Sequence, residues 1–190
     1  MYLKFVKPFL DVIISLIAVL VLCPFLLLIY SLLLFIHRDN PLFFQTRVGQ
    51  YGNLFTVFKF KTIKKNVETN SFLKLLRKTK IDELPQLINV LKGEMSLVGP
   101  RPDIPGYYDR LKGEDRKLLN LKPGLTGYAS LKFSNEEDLL KQQKESLRYN
   151  DDVIFPEKIR LNLYYYKNVS LLFDFKIILK TILLPFKSHS

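Results

Sequence analysis

Residues 12–36 read VIISLIAVLVLCPFLLLIYSLLLFI, an uncharged apolar run with Lys4, Lys7 and Asp11 before it and His37, Arg38 and Asp39 after it. A helix of this length reaches across a bilayer with some tilt. Pro24 falls near the middle of the run. A proline there removes one backbone hydrogen bond and crowds the preceding turn, so the helix is expected to bend. Each arm is then about 12 residues, or roughly 18 Å, close to the thickness of one leaflet. Two geometries satisfy this reading. One is a kinked helix that spans, which membrane helices tolerate; the other turns back near Pro24 and leaves by the face it entered. Basic residues at both ends suit the second, because positive charge favours the cytoplasmic side. A cleaved signal peptide is not expected, since the run is too long and no small-residue cleavage site ends it.

The chain around this run has 190 residues, a net charge of +11 and 48% hydrophobic residues. That length suits a membrane element over residues 1–38 followed by one modest domain over residues 39–190. Membrane association reconciles the high apolar content with the strong basicity. The charge also predicts an anionic partner: nucleic acid, acidic lipid or a phosphorylated substrate. Cys23 is the single cysteine, which excludes an intrachain disulfide framework, and clustered Cys and His ligands for zinc are absent.

Pro41–Thr62 predicts a β-hairpin. Its arms, Leu42-Phe43-Phe44 and Leu54-Phe55-Thr56-Val57-Phe58, are rich in strand formers, and Gly49–Asn53 supply the turn. Phe58 and Phe60 alternate with Lys59 and Lys61, giving one apolar and one basic face. Ser71–Lys80 reads as a basic helical stretch. Asp82–Lys92 reads as a short helix with Asp82 at the N-cap, Pro85 in the first turn and Gly93 at the end. Gly99-Pro100-Arg101-Pro102 is a stiff loop, Lys122–Gly127 another turn, and Glu136–Arg148 a charged helix. Leu171–Leu184 is too short for a comfortable span and fits an amphipathic helix in the membrane interface, with a buried core helix as the alternative. The fold class is therefore α+β, mainly helical with a small hairpin.

Asp82 and Glu83 suit a helix start by capping and dipole alone. A functional reading draws on the cations nearby in sequence, Arg77, Lys80 and Arg101. Pro100 and Pro102 stiffen the backbone around Arg101, so a bidentate phosphate contact there costs little ordering. There is no phosphate-binding glycine loop, no dinucleotide fingerprint, no His-Glu-x-x-His and no Gly-x-Ser-x-Gly, so kinase, dehydrogenase, zinc protease and α/β-hydrolase chemistry have no support. A membrane-tethered basic binding or scaffold protein remains compatible with charge and amphipathicity alone.

The motifs taken in order resemble the small monotopic phosphoglycosyl transferases, a bacterial sugar transferase family. The resemblance rests on Lys7-x3-Asp11, the apolar run with its central proline, Phe43-Phe44-x2-Arg47-Val48-Gly49 and Lys59-Phe60-Lys61-Thr62. It continues through Ile81-Asp82-Glu83-Leu84-Pro85-Gln86-Leu87, Asn89–Gly93, Met95–Pro102, Lys122–Gly127, Tyr164-Tyr165 and Asp174-x-Lys176. It implies a re-entrant N-terminal membrane helix and interfacial amphipathic helices. The implied reaction is Mg²⁺-dependent: Asp82 attacks the β-phosphate of a UDP-sugar, UMP leaves, and polyprenyl phosphate then takes the phosphosugar from Asp82. By the same resemblance Glu83 is the metal-binding partner of a catalytic dyad, while Lys59, Arg77 and Arg101 fall at substrate-binding positions. The expected partners are a UDP-sugar, polyprenyl phosphate and membrane lipid, with no nucleic acid, at the cytoplasmic face of the bacterial inner membrane. The chain differs from the usual family pattern at Cys23, where serine is common before the proline, at Lys122 and Tyr128, and at Asn162, which is often aspartate.

Overall fold

A computed structural model describes residues 1–63 and 70–184. A turn of π-helix at Tyr2–Val6 leads into α1 (Lys7–His37), followed by an antiparallel hairpin of β1 (Leu42–Val48) and β2 (Leu54–Phe60). Next come α2 (Ser71–Lys78), a 3-10 turn at Ile81–Gln86 running into α3 (Leu87–Leu91), and β3 (Ser96–Val98). A 3-10 stretch at Gly113–Asn120 precedes β4 (Gly124–Thr126) and α4 (Tyr128–Lys132). The chain then forms α5 (Glu136–Lys141), α6 (Ser146–Tyr149), α7 (Phe155–Asn168) and α8 (Leu171–Leu183). The mainly helical α+β architecture is the one the sequence predicts.

The backbone of α1 stays helical through Pro24, so the proline does not divide it into two separate helices. One face is docked along its full length. Lys7, Asp11 and Ser15 are buried near its start, and Ala18, Val19 and Leu22 pack with Leu87, Tyr165 and Ile177. Leu26, Ile29 and Leu33 pack against Phe60, Leu73 and Leu76 near its end. Spacings of three and four residues place all of these on one stripe. The opposite face exposes Phe9, Leu20, Val21, Leu27, Leu28 and Phe35. Apolar exposure on that scale marks a membrane or partner contact, and α1 is long and apolar enough to cross a membrane.

A buried polar cluster fixes the start of α1. Asp174 on α8 accepts hydrogen bonds from Tyr2 Oη, Lys7 Nζ and Tyr165 Oη, each at 2.6 Å. Ser96 Oγ donates to Asp11 Oδ2 at 2.6 Å. Buried charges persist only when paired and hydrogen-bonded, and these pairings tie α1 to β3, α7 and α8. The remaining surface of α8 faces outward: Leu172, Phe175, Leu179 and Ile182 are exposed together with Lys176 and Lys180, and only Asp174 and Ile177 are buried. It is therefore not a core helix.

The hairpin register pairs Phe43 with Lys59 and Phe44 with Phe58. Asn89 on α3, wholly buried, stitches β2 to the helix behind it. Its Nδ2 donates to Thr56 O and Glu94 Oε2, both at 2.7 Å, and its Oδ1 accepts from Phe58 N at 3.2 Å. Asn89→Ala strands these groups in the interior and should cost about 2–4 kcal/mol, read from reversible unfolding in detergent. A loss below about 0.5 kcal/mol would mean the stitch is dispensable.

Two expectations are corrected. Lys122–Gly127 is not simply a turn: it contains β4, which pairs parallel with β3 through Ser96↔Gly124 and Val98↔Thr126. The two backbones approach so closely that a Cβ on Gly99 would lie 2.3 Å from Lys122 O, and one on Gly124 would lie 2.1 Å from Gly99 N. The glycines read as turn residues are there for that contact. The predicted helix over Glu136–Arg148 is broken into α5 and α6, neither of which buries a residue. Short helices without a packed face are not held in register.

Candidate active site

Lys80 takes a left-handed backbone conformation (φ 59°) and occupies the cap position of the 3-10 turn that carries Asp82 and Glu83. Asp82 is thus inside the turn and caps no backbone N–H, unlike the N-cap role expected for it. The reversal at Lys80 starts the turn one residue earlier and swings both carboxylates inward. Asp82 is 1% exposed and Glu83 4%.

Two cations from separate elements meet this pair. Lys59 on β2 places Nζ 2.9 Å from Asp82 Oδ2 and 3.3 Å from Glu83 Oε1. Arg101, just past β3, forks onto Glu83, with Nη1 donating to Oε2 at 3.1 Å and Nη2 to Oε1 at 2.5 Å. The β3–β4 crossing and the flanking prolines give that fork a fixed base. Glu83 is fully engaged. Asp82 is not: Lys59 holds it as an ion pair off the hydrogen-bond direction, and neither carboxylate oxygen accepts an aligned hydrogen bond from any described residue.

The two carboxyls are accordingly driven apart. Burial pushes Asp82 above the usual carboxylate range, and Lys59 opposes this only in part. Burial also pushes Glu83 upward, but Arg101, Lys59 and Lys80 together outweigh it and hold the group at about 2. Divergent environments of this kind for neighbouring acids are a signature of working sites.

Glu83, Lys80 and Arg101 line a cavity of about 690 Å³. Its apolar side includes Ile14 of α1 with Ile178 and Ile182 of α8. Its polar wall carries the ion pairs Arg47–Asp103 at 3.8 Å and Lys158–Glu136 at 2.6 Å. Arg77 pairs with Glu137 of the cavity wall at 2.5 Å. The structure thus brings Lys59, Asp82, Glu83 and Arg101 together and sets Arg77 against a different acid. Tyr108 and Lys158, which also line the cavity, carry no local signal in the sequence; only tertiary packing places them there.

Among the described residues no three His, Cys, Asp or Glu side chains converge on one point. The dyad still suits Mg²⁺, a hard cation that commonly takes one or two protein carboxylates and completes its shell with water and substrate phosphate. Asp82, whose buried oxygens accept no aligned hydrogen bond from any described residue, supplies hard oxygen ligands of the right kind.

The bacterial sugar transferase family matches residues 2–188, nearly the whole chain. The chain belongs to that family. Its similar members include an uncharacterized sugar transferase, EpsL, of Bacillus subtilis (strain 168), 34% identical over 155 residues that cover 75% of this chain and 69% of that one. The exopolysaccharide production protein PSS of Rhizobium leguminosarum bv. phaseoli is 34% identical over 195 residues, 90% of each chain. A UDP-N-acetylgalactosamine-undecaprenyl-phosphate N-acetylgalactosaminephosphotransferase of Aeromonas hydrophila is 32% identical over 195 residues. This sugar transferase spans 94% of its own length but only 43% of the Aeromonas protein's in that match.

Proposed function

We propose that this sugar transferase moves a phosphosugar from a UDP-sugar to polyprenyl phosphate, with Asp82 as the nucleophile. The observation that carries the reading is Asp82 itself: a buried carboxylate met, among the described residues, by Lys59 alone, with Glu83 and Arg101 beside it and a cavity with one apolar side next to it. A carboxylate oxygen of Asp82 attacks the β-phosphorus, the bond from that phosphorus to the bridging oxygen breaks, and UMP departs with the oxygen. An oxygen of polyprenyl phosphate then attacks the same phosphorus and the bond to Asp82 breaks, which restores the carboxylate and yields the polyprenyl diphosphosugar. Splitting one transfer into two is the advantage of a covalent nucleophile.

Lys59 and Arg101 are paired with the dyad. An incoming diphosphate offers both cations replacement anions, and their withdrawal uncovers Asp82. Arg101 matches a phosphate with the same two-donor fork it uses on Glu83. Mg²⁺ held by Glu83 and Asp82 would offset charge on the diphosphate. The test is UMP release from a UDP-sugar panel with undecaprenyl phosphate and Mg²⁺. Lipid-dependent release that stops on chelation is expected; no release from any donor, or full activity after exhaustive chelation, would count against the respective assignments.

Because the nucleophile works only when ionised, activity falls as pH drops through the Asp82 pKa, which lies above the ordinary value. Lys59 lowers that pKa, so Lys59→Met should shift the acid limb of kcat/KM to higher pH as well as slow the enzyme. An unmoved limb would separate Lys59 from Asp82.

The membrane segment fits the re-entrant geometry. Both ends of α1 contact the same domain, Lys7 through Asp174 and Leu33 beside Leu73, which supports a helix lying along that domain and keeping both ends on one face of the bilayer. Met1 and the catalytic domain then share the cytoplasmic side, where UDP-sugars are available. Single cysteines near residues 3 and 112, on a Cys23→Ser background, should both resist impermeant labelling until cells are permeabilised. Labelling near residue 3 in intact cells would establish a span.

A further inference from the structure

Besides the end at Glu83, Lys80 and Arg101 and the apolar side at Ile14, Ile178 and Ile182, the cavity has a third side. It lies on α7. Asn162 is 2% exposed, lines the cavity, and has a single side-chain hydrogen bond, Nδ2 to Tyr108 Oη at 2.8 Å. Its Oδ1 is buried and has no partner among the described residues. Exchanging the amide oxygen and nitrogen does not remove the vacancy, because the Tyr108 hydroxyl can donate as well as accept and one end of the amide is always left over. A buried amide with one end unmatched costs free energy unless a ligand completes it. Tyr108, also a cavity residue, makes no other side-chain hydrogen bond among the described residues, so its hydroxyl proton is likewise uncommitted.

The charge around this pair is balanced. Arg47 is matched by Asp103 and Lys158 by Glu136, and among the described residues no cation is left over on this wall as Lys80 is beside Glu83 and Arg101. A neutral wall with one spare acceptor and one spare donor complements groups that both donate and accept, such as hydroxyl and acylamino substituents, and offers a phosphate no unpaired cation. A volume near 690 Å³ accommodates a sugar between that wall and the dyad.

We propose that Asn162 and Tyr108 form the subsite that holds and selects the transferred sugar. The inference rests on the phosphosugar transfer proposed above. A site built around buried hydrogen-bonding groups rejects donors that leave those groups unpaired, which is how polar pockets discriminate. The neutral amide at position 162 also reads a different pattern from a carboxylate, which can only accept when ionised.

The experiment measures kcat/KM for UDP-glucose, UDP-galactose, UDP-N-acetylglucosamine and UDP-N-acetylgalactosamine. It compares the parent with Asn162→Leu, Asn162→Asp and Tyr108→Phe, and takes inhibition by UMP alongside. The preferred donor should lose about tenfold or more in Asn162→Leu, and the ratio of best to second donor should change by about tenfold. Asn162→Asp should re-rank the donors, and Tyr108→Phe should move the ratio in the direction of Asn162→Leu. UMP, which carries no sugar, should inhibit every variant as it does the parent. Should Asn162→Leu fail to fold, the two milder variants carry the comparison. Uniform loss across donors with an unchanged ratio, or weakened UMP inhibition, would overturn the inference and make the pair structural. A parent that releases UMP from no donor overturns the transferase reading and this subsite with it.

Discussion

Asp82→Asn is expected to lower lipid-dependent UMP release by about three orders of magnitude or more, an increase of about 4 kcal/mol in the barrier, while Tm stays level or rises. The amide is nearly isosteric but a poor nucleophile. The stability half of the expectation follows from the environment. Asp82 is buried with no aligned donor, and burial is the largest influence on its ionisation. Removing the charge relieves that cost, and Lys59, which is 29% exposed, can turn to water. Strain held at a working residue and released by inactivating it separates a catalytic group from a structural one. A variant with near-normal turnover would remove Asp82 from the mechanism, and one that loses activity only by unfolding would make it structural.

Arg101→Lys is expected to cost about 100-fold in kcat/KM although charge is kept. The guanidinium engages Glu83 through two nitrogens, and the same planar fork is what a phosphate would receive; an ammonium cannot reproduce it. Loss of the fork also loosens Glu83. That carboxyl sits at about 2 against an ordinary 4.5 because Arg101, with Lys59 and Lys80, outweighs burial. Its ionised form therefore stabilises the fold above the ordinary value, and that contribution is lost as pH falls towards about 2. The lysine variant should consequently unfold at a higher pH on acidification than the parent. Equal kinetics in the two proteins would reduce Arg101 to a point charge.

The parts of this molecule written in local pattern were legible. The apolar run gave α1, and alternation of Phe and Lys gave the hairpin that presents Lys59. What failed was non-local. β3 and β4 have three residues each and pair in parallel only because Gly99 and Gly124 allow the backbones to touch; in the chain those glycines look like turns. The helix α7 has no clear local signal, since Asn162 interrupts its apolar stripe and its tyrosines are indifferent helix formers. The cap position expected for Asp82 is occupied by Lys80, which makes no side-chain cap and whose left-handed backbone has no signature in a lysine. In the site, adjacency placed Asp82 with Glu83, but their pairing with Lys59 and Arg101, and the separation of Arg77 to Glu137, depend on tertiary contacts.

Covalent catalysis by Asp82 requires a bond between its carboxylate and phosphorus, and intact-protein mass spectrometry tests for that bond most directly. Purified protein with Mg²⁺ and its UDP-sugar, but no polyprenyl phosphate, should release at most about one UMP per chain and gain the mass of one phosphosugar. Peptide mapping should place that mass on Asp82, and adding polyprenyl phosphate should discharge it. UMP release that begins only when lipid is present, with no mass gained by the protein at any time, would show direct transfer between the substrates and contradict the covalent role of Asp82.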